Sequence, residues 1–253
     1  MLQRQQLSSL LAELLQTGRV RDFCPNGLQV EGKQHIKRIV TGVTASQALI
    51  DAAVAHGADA ILVHHGYFWK NEAAVVTGMK KKRLQALLTH DINLFAYHLP
   101  LDIHPELGNN AQLAKLLQLA AVMPLATVEP LGVVMQGQLA VPQSLSQLAD
   151  TLEQLLGRKV LAHAAGSNRA VHKLAWCTGG GQGYIEQAAE AGADVFITGE
   201  VSEQTIHVSR ELDIHFIAAG HHATERYGIK ALGEYLSAHY PLDVQFIDID
   251  NPA

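Results

Sequence analysis

The chain has 253 residues, of which 48% are apolar and 17% are charged, a composition that excludes a disordered protein and fits one or two globular domains. Nineteen basic and 24 acidic side chains give a net charge of −5, so the overall field does not favour nucleic acid or an anionic membrane. The chain also contains 14 histidines, a residue that proteins use for metal ligation and for proton transfer near neutral pH, and this number predicts a functional site.

Neither the cysteine content nor the hydropathy indicates secretion or a membrane. Cys24 and Cys177 are too few for a disulfide framework, and they lack the spacing of a metal site. The segment Met1–Leu7 has no apolar core of a signal peptide, and the sequence contains no window of about 18 uninterrupted apolar residues. We therefore expect a soluble, cytoplasmic protein without a membrane partner.

The chain repeats one pattern of apolar residues. Residues 36–66 and 171–201 align without a gap, and both contain a short apolar run, a turn of small residues, an Ala-rich stretch, a Gly and a second apolar run. Apolar runs separated by a helix-length segment that ends in Gly are typical of a β-α-β unit with buried parallel strands. The four predicted strands are Ile39–Val43, Ala60–Val63, Leu174–Cys177 and Val195–Thr198.

The similarity continues beyond these segments, because residues 92–98 resemble residues 214–220. Predicted helices over residues 83–90 and 110–118 flank the first segment, and predicted helices over residues 202–212 and 225–238 flank the second. The second half also contains a predicted strand over Gly132–Ala140, a helix over Ser144–Leu156 with Ser144 as its N-cap, and a strand over Lys159–Ala164. We therefore expect two related α/β domains with mainly parallel sheets, over residues 1–126 and 127–253, with the boundary placed by the prolines near 124–130.

Polar residues collect at the ends of the predicted strands. In open parallel α/β sheets, ligands bind outside the carboxyl ends of the strands, so these ends are candidate binding positions. The residues found there are His64, His65, His98, Asp102, Glu200, His221, His222 and Glu225. Other histidines, such as His56 and His172, fall in predicted helices, turns or mid-strand positions, and we interpret them as structural.

The residue types at these strand ends favour a metal site. Three histidines and two carboxylates form a mixed nitrogen and oxygen donor set, which is typical of Zn, Mn, Fe, Co or Ni and not of Ca. Five ligands exceed one closed tetrahedral site, and they suit two divalent ions with open positions. Spacing alone leaves one ligand undecided, because His221 at i, i+4 and His222 at i, i+3 both share a helix face with Glu225. The alternative for each histidine is a hydrogen-bonded residue of the core.

Three residues are candidates for catalytic roles around such a site. A metal-bound histidine needs a partner for its second nitrogen, and a hydrolytic site needs a group that transfers protons. The candidates are His98, Glu200 and His207, with a structural hydrogen-bonding role as the alternative. The loop Gly179–Gly183 connects a strand to a helix, and it could bind phosphate through its N–H groups or form a close-packed turn.

Five motifs resemble those of a known family: VHHGYFW, YHLPLDIHPELGNN, CTGGGQGYI, TGEVSEQTIH and GHHATER. Together they are similar to the signatures of the GTP cyclohydrolase I type 2 homologues, also called the NGG-one-interacting-factor-like family, over essentially the whole chain. The resemblance implies a two-domain α/β subunit with a dinuclear metal site in the inter-domain cleft, assembled into a toroidal homohexamer. The metal ligands that it implies are His64, His65, Asp102, His221 and Glu225. The family pattern Gly-His-x-x-x-Glu begins at Gly220 and thereby favours His221 over His222.

The hypothesis that follows is a metal-dependent hydrolase with two divalent metal ions per subunit. The family name points to a nucleotide such as GTP, or to a related small molecule, as the substrate. Two alternatives stay open: a metal-binding or metal-trafficking protein without turnover, and a ring-shaped factor in the processing of damaged nucleotides or DNA. The net charge of −5 argues against binding to nucleic acid.

Overall fold

The structure, a computed structural model, describes residues 1–166 and 169–253. The chain forms two compact units: unit 1 comprises Met1–Leu101 and Gly228–Asp250, and unit 2 comprises Asp102–Tyr227 and Asn251–Ala253. Each unit contains helices and one main β-sheet. Within the described residues, no helix has both the length and the apolar character needed to cross a bilayer.

Unit 1 is built on a five-stranded sheet in which four neighbouring strands run parallel. Its elements in chain order are β1 (Leu2–Gln3), α1 (Arg4–Leu14), β2 (Gly27–Val30), β3 (His35–Ile36), β4 (Arg38–Thr44), α2 (Gln47–His56), β5 (Ala60–His65), α3 (Gly78–Thr89), β6 (Asn93–Ala96), α4 (Leu99–Asp102) and, near the C-terminus, β13 (Asp243–Phe246). The strand order is β13-β4-β5-β6-β2, and β2 is antiparallel to β6. The carboxyl ends of β4, β5 and β6 therefore lie at one edge of the sheet.

Helix α2 illustrates why the unit 1 segments fold as they do. It begins after Ser46, whose side-chain oxygen accepts the N–H of Leu49 at 3.3 Å, and it ends at Gly57, which has the left-handed φ of +67°. Its apolar residues pack against the sheet and α3 in a core whose buried members include Val40, Leu49, Ile50, Ala53, Ile61, Val63, Leu87 and Leu94. Strands buried in this way read as continuous apolar runs, which is the pattern the sequence showed.

Unit 2 contains a six-stranded sheet of mixed direction. Its elements are α5 (Asn109–Leu116), β7 (Ala120–Pro124), β8 (Met135–Gln143), α6 (Leu145–Leu156), β9 (Leu161–His163), β10 (Val171–Cys177), α7 (Ile185–Glu190), β11 (Val195–Thr198), α8 (Glu203–Glu211), β12 (His215–Ala218) and the start of α9 (His221–His239). The strand order is β7-β8-β10-β11-β12-β9, with β10, β11 and β12 parallel and the other pairs antiparallel.

The expectation of mainly parallel sheets is therefore correct for unit 1 and wrong for unit 2. Parallel neighbours need a crossover connection, and β10, β11 and β12 are joined through helices α7 and α8. Strands β7 and β8 follow one another without an intervening helix, and they pair antiparallel. The apolar pattern identifies a strand, but it does not specify which partner the strand pairs with.

The compact units also divide the chain at positions other than the predicted boundary between residues 126 and 127. Leu113, Ala114 and Leu117 belong to a core cluster with Leu148 and Trp176, so the segment after Leu101 lies in unit 2. At the other end, β13 pairs in parallel with β4 and brings the C-terminal segment into unit 1. The core cluster and the strand pairing both join segments that are distant along the chain. Prolines and local breaks in the apolar pattern do not reveal such contacts.

Two carboxylates at equivalent positions of the predicted repeat make the same hydrogen bonds, each within its own unit. Asp59 Oδ2 accepts the N–H groups of Lys37 and Arg38 at 3.0 and 2.9 Å. Asp194 Oδ2 accepts the N–H groups of His172 and Lys173 at 2.9 and 2.7 Å. Each carboxylate thus fixes the start of one strand against the start of its parallel neighbour.

Several local predictions are confirmed in detail. The strand Val195–Thr198 is found as predicted, and helix α6 has Ser144 as its N-cap, with the Ser144 side-chain oxygen accepting the N–H of Gln147 at 3.2 Å. The predicted helix over 225–238 begins earlier, at His221. The sequence did not predict α1, β1, β2, β3, α4, β7 or β13.

We expect Asp59→Asn to destabilise the protein by about 1–3 kcal/mol at pH 7, because it disturbs a buried acceptor of two backbone N–H groups. Burial opposes ionisation of Asp59, but the hydrogen bonds from Arg38, Lys33 and Lys37 outweigh burial and hold its pKa below the ordinary 3.8. Its stabilisation is therefore present above about pH 4 and is lost as the pH falls through the lowered pKa.

Urea unfolding of wild type and Asp59→Asn at pH 7 and at pH 3 measures this effect. The difference in free energy of unfolding should shrink at the lower pH. Asp51→Asn, at an exposed position of α2, is the matched control for the charge change. A pH-independent difference would contradict the assignment of the stabilisation to the ionised carboxylate.

Candidate metal centre

Three imidazole rings of unit 1 meet at the carboxyl edge of its sheet. His64 and His65 are the last two residues of β5, and His98 follows the neighbouring parallel strand β6. The ring centroids of His64 and His65 lie 4.5 Å apart, and the His98 centroid lies 5.2 and 5.7 Å from them. One nitrogen of each ring lies within 4.8 Å of the other two, so this triad could hold a metal ion.

Each of these rings is oriented through its Nδ1 atom. His64 Nδ1 lies 3.0 Å from the carbonyl oxygen of Tyr97, and His65 Nδ1 lies 3.3 Å from Thr44 Oγ1. Proteins use such partners at one nitrogen to direct the other nitrogen, here Nε2, toward a metal. His64 is fully buried and His65 is half-buried, and the partners of both Nδ1 atoms belong to unit 1.

His98 has a support that sequence reasoning missed. Its Nδ1 lies 2.8 Å from Asp22 Oδ1, and its backbone N–H donates to Asn26 Oδ1 at 2.8 Å. The second oxygen of Asp22 accepts the N–H of Leu99 and the side-chain amide of Asn26, both at 2.9 Å. Burial opposes ionisation of Asp22, but its contacts with His98 and Asn26 outweigh burial and hold its pKa below the usual range. The loop 22–26 carries no local signal for this role beyond its polar residues beside a proline.

In unit 2, Asp102 is a buried carboxylate at the end of α4. Its side chain is held by Asn109, whose Nδ2 donates to Asp102 Oδ1 at 2.8 Å, and the residue is 5% exposed. A buried carboxylate is costly unless it is compensated by hydrogen bonds or by a positive charge. Asp102 is therefore suited to hold a cation as an oxygen ligand.

His221 and Glu225 occupy the first turns of α9 and face each other at the spacing i, i+4. His221 Nε2 lies 3.2 Å from Glu225 Oε2, and its Nδ1 lies 2.7 Å from Glu200 Oε1. Burial alone would lower the pKa of His221, but the hydrogen bonds and negative charges of Glu225 and Glu200 outweigh it and raise that pKa to about 9. These two carboxylates therefore favour a positive charge at His221, which either a proton or a metal ion can supply.

The structure thus brings three of the predicted strand-end residues together in unit 2: Glu200, His221 and Glu225. His221 Nε2 contacts the Glu225 carboxylate in this group, and the backbone N–H of His222 donates to the Ala253 carbonyl at 3.3 Å. His207 is placed differently, since it lies exposed on α8 with its Nε2 4.0 Å from Glu203.

The glycine-rich loop after β10 forms a close-packed turn against the His221–Glu225 pair. The N–H groups of Thr178, Gly179 and Gly181 donate to side chains of unit 2, at distances of 2.9 to 3.1 Å. Two of the N–H groups of the candidate phosphate loop, those of Gly179 and Gly181, are therefore used within the unit. Gly179 has a φ of +67°, and a Cβ there would overlap Glu225 Oε1 and approach His221 Nε2 to 3.1 Å.

We expect Gly179→Ala to lower the free energy of unfolding by about 1–3 kcal/mol, because the new methyl group meets Glu225 and the backbone is left-handed. Gly183→Ala in the same loop is the matched control, since a Cβ there meets nothing within 4 Å. Urea unfolding compares the two variants with wild type. Equal stability of Gly179→Ala and Gly183→Ala would contradict the steric role of Gly179.

Comparison with known proteins places these residues in a family. The chain is 61% identical to a GTP cyclohydrolase 1 type 2 homolog of Yersinia pestis and 56% identical to that of Escherichia coli K12, each over 98% of both chains. A solved structure described as protein ybgI, of unknown function, matches with a TM-score of 0.96 and 55% identity over the whole of both chains. TTHA1606 of Thermus thermophilus matches over the same extent with a TM-score of 0.90 and 35% identity. The family described as Duf34/NIF3 (NGG1p interacting factor 3) matches residues 2–252, and the chain belongs to this family.

Proposed function

We propose that this protein is a divalent-metal-dependent hydrolase. In this proposal two metal ions are held by His64 and His65 from unit 1 and by Asp102, His221 and Glu225 from unit 2. The observation that carries it is the gathering of metal-donor side chains in each unit, as the His64 and His65 rings with centroids 4.5 Å apart in unit 1 and as the His221–Glu225 pair in unit 2. The name of the relatives, GTP cyclohydrolase 1 type 2 homolog, supports a hydrolytic reaction.

The chemistry of the donors fits divalent transition metals. Asp102 and Glu225 are 5% and 2% exposed, and buried carboxylates of this kind need positive charge close to them. Imidazole and carboxylate together suit Zn, Fe, Mn, Co or Ni. When bound, such ions supply Lewis-acid polarisation of the scissile bond and stabilise the negative charge that develops there.

The chain's own residues supply orientation and proton transfer. Asp22 accepts a hydrogen bond from His98 Nδ1, so Nε2 is the ring nitrogen left to exchange a proton with a substrate. The side chain of His98 is 16% exposed, so it is accessible from solvent. Glu200 plays the orienting role for His221, because it holds the Nδ1 atom of that ring.

A nucleotide is the substrate class that we propose, on the strength of the name given to the relatives. Imidazole and carboxylate ligands do not themselves distinguish one base from another. The toroidal homohexamer implied by the family resemblance and the cytoplasmic location expected from the sequence stay predictions. Light scattering tests the hexamer against the 27.4 kDa of one chain.

Metal analysis of purified protein tests the ligand assignment. We expect two divalent ions per wild-type chain and a loss of bound metal in His65→Ala and in Glu225→Ala. His90→Ala in unit 1 and Glu211→Ala in unit 2, both at exposed positions, are the matched controls and should keep both ions. Retention of two ions in both ligand variants would refute the assignment.

Turnover is tested with GTP and other nucleotides in the presence of each candidate metal. Metal-dependent hydrolysis by wild type, lost in Glu225→Ala, is the expected result. Full metal loading without turnover of nucleotides, small amides or phosphoesters would instead favour a metal-binding or metal-trafficking role.

The role of His98 leads to a separate prediction. We expect His98→Asn to lower kcat for GTP by about 100-fold or more, because a positioned general acid or base typically contributes that much. The metal content should stay at the wild-type value, since the five proposed ligands are unchanged. A variant with wild-type kcat would show that His98 has a structural role only.

A further inference from the structure

Two exposed phenylalanines lie in the loops next to the unit 1 histidines. Phe23 is 60% exposed and Phe68 is 39% exposed, whereas Phe95, Phe196 and Phe216 are completely buried. A phenyl ring in water gives up the stabilisation that burial provides, so exposed aromatic rings beside a polar site indicate a binding surface. We call Phe23, Phe68 and Trp69 the aromatic wall, because they lie in two loops that a backbone hydrogen bond joins beside these histidines.

Trp69 connects this wall to the histidines. Its ring stands edge-on to His98, with the centroids 4.9 Å apart and the planes at 82°, and it lies 6.0 Å from the His65 ring. The indole Nε1 donates to the carbonyl oxygen of Gly66 at 3.2 Å, so the polar group of this side chain is satisfied inside the loop. What Trp69 can offer to a ligand is therefore the flat apolar surface of its ring.

The wall is held in place by specific contacts. Phe68 has a φ of +65°, which a bulky side chain rarely adopts, and the Glu72 carboxylate accepts the N–H groups of both Phe68 and Trp69. Lys80 Nζ lies 3.1 Å from Glu72 Oε1 and 4.9 Å from the centroid of the Phe68 ring. Such a conformation is kept only where the surrounding contacts determine it, and at binding sites it positions side chains in advance.

Phe23 is attached to the same structure through the backbone. The N–H of Lys70, directly after Trp69, donates to the carbonyl oxygen of Phe23 at 2.8 Å. The N–H of Phe23 donates to Asp22 Oδ1, the atom that also contacts His98 Nδ1. The loop of Phe68 and Trp69, the loop of Phe23 and the His98 ring are therefore connected through one set of hydrogen bonds.

We propose that the aromatic wall stacks the planar heteroaromatic ring of the substrate and so makes Trp69 a specificity-determining residue. The proposal rests on the proposed function, since it places the base of a nucleotide beside His98. Stacking recognises the flat π-face that every base has, so the wall selects for a planar ring and not for one particular base. A purely structural Trp69, which only covers the histidines, would make no such selection.

Intrinsic fluorescence tests the stacking directly, because the chain has two tryptophans and Trp176 is fully buried. The probes are GMP, AMP and ribose 5-phosphate, which share a phosphate and differ in the presence of a base. We expect GMP and AMP to quench the emission of Trp69 in the wild-type protein, and ribose 5-phosphate to leave it unchanged. Equal responses to all three probes, or no response to the two nucleotides, would overturn the proposal.

Calorimetric titration of variants with GMP supplies the second readout. Trp69→Ala should weaken GMP binding by about tenfold or more, as expected for the loss of one base-stacking ring, while ribose 5-phosphate binding and metal content stay unchanged. Trp69→Phe keeps a flat ring and should retain most of the affinity. Leu88→Ala, an exposed apolar position two turns beyond Lys80 on α3, is the control and should bind GMP as wild type does.

The possible failures are distinguishable. Wild-type affinity for GMP in Trp69→Ala would overturn the stacking role, whatever the metal analysis shows. A protein that binds GMP through Trp69 but hydrolyses no nucleotide would support the wall and refute the hydrolase. If Trp69→Ala loses metal, the quenching in the wild-type protein and the affinity of Trp69→Phe decide the question.

Discussion

Four imidazole rings, three in unit 1 and one in unit 2, are each held through Nδ1 by a partner from the same unit. The four pairs are His64 with the Tyr97 carbonyl, His65 with Thr44, His98 with Asp22 and His221 with Glu200. In unit 1 these contacts depend on strand register, because Thr44 and His65 are direct partners across β4 and β5. A slip of one residue would turn both histidines of β5 to the opposite faces of the sheet. The parallel register of β4, β5 and β6 is therefore the constraint on which the donor geometry depends.

Charge is the second organising feature, and it acts at the carboxylates of unit 2. The carboxylates of Asp102 and Glu225 are buried, and Glu200 and Glu225 raise the pKa of His221 to about 9. An arrangement of this kind favours the positively charged form of the His221 ring over its neutral form. A divalent ion can replace the proton on such a ring, so the electrostatics of the protein already favour a cation. Because Gly179 has no side chain, the close-packed turn leaves room for the Glu225 carboxylate, which contributes to this effect.

The sequence predicted the parts of the structure that depend on local patterns. Buried parallel strands such as Val195–Thr198 read as short apolar runs, and Ser144 marks the start of α6 because its cap is a local hydrogen bond. The strand-end rule likewise located His64, His65 and His221. Asp22 was missed because it lies 76 residues from His98 along the chain, and no local pattern links the two. The mixed direction of the unit 2 sheet was missed for the same reason, since strand pairing is decided by distant segments.

The position of β13 has a consequence for synthesis of the protein on the ribosome. This strand occupies one edge of the unit 1 sheet, next to β4, yet it is formed by residues 243–246. Unit 1 therefore cannot complete its sheet until translation has passed residue 246, although most of the unit is made first. In the interval β4 presents an open edge of unpaired backbone groups, which is a template for unwanted pairing between nascent chains. All strands of the unit 2 sheet lie between Asp102 and Tyr227, so that sheet can be completed before the unit 1 sheet.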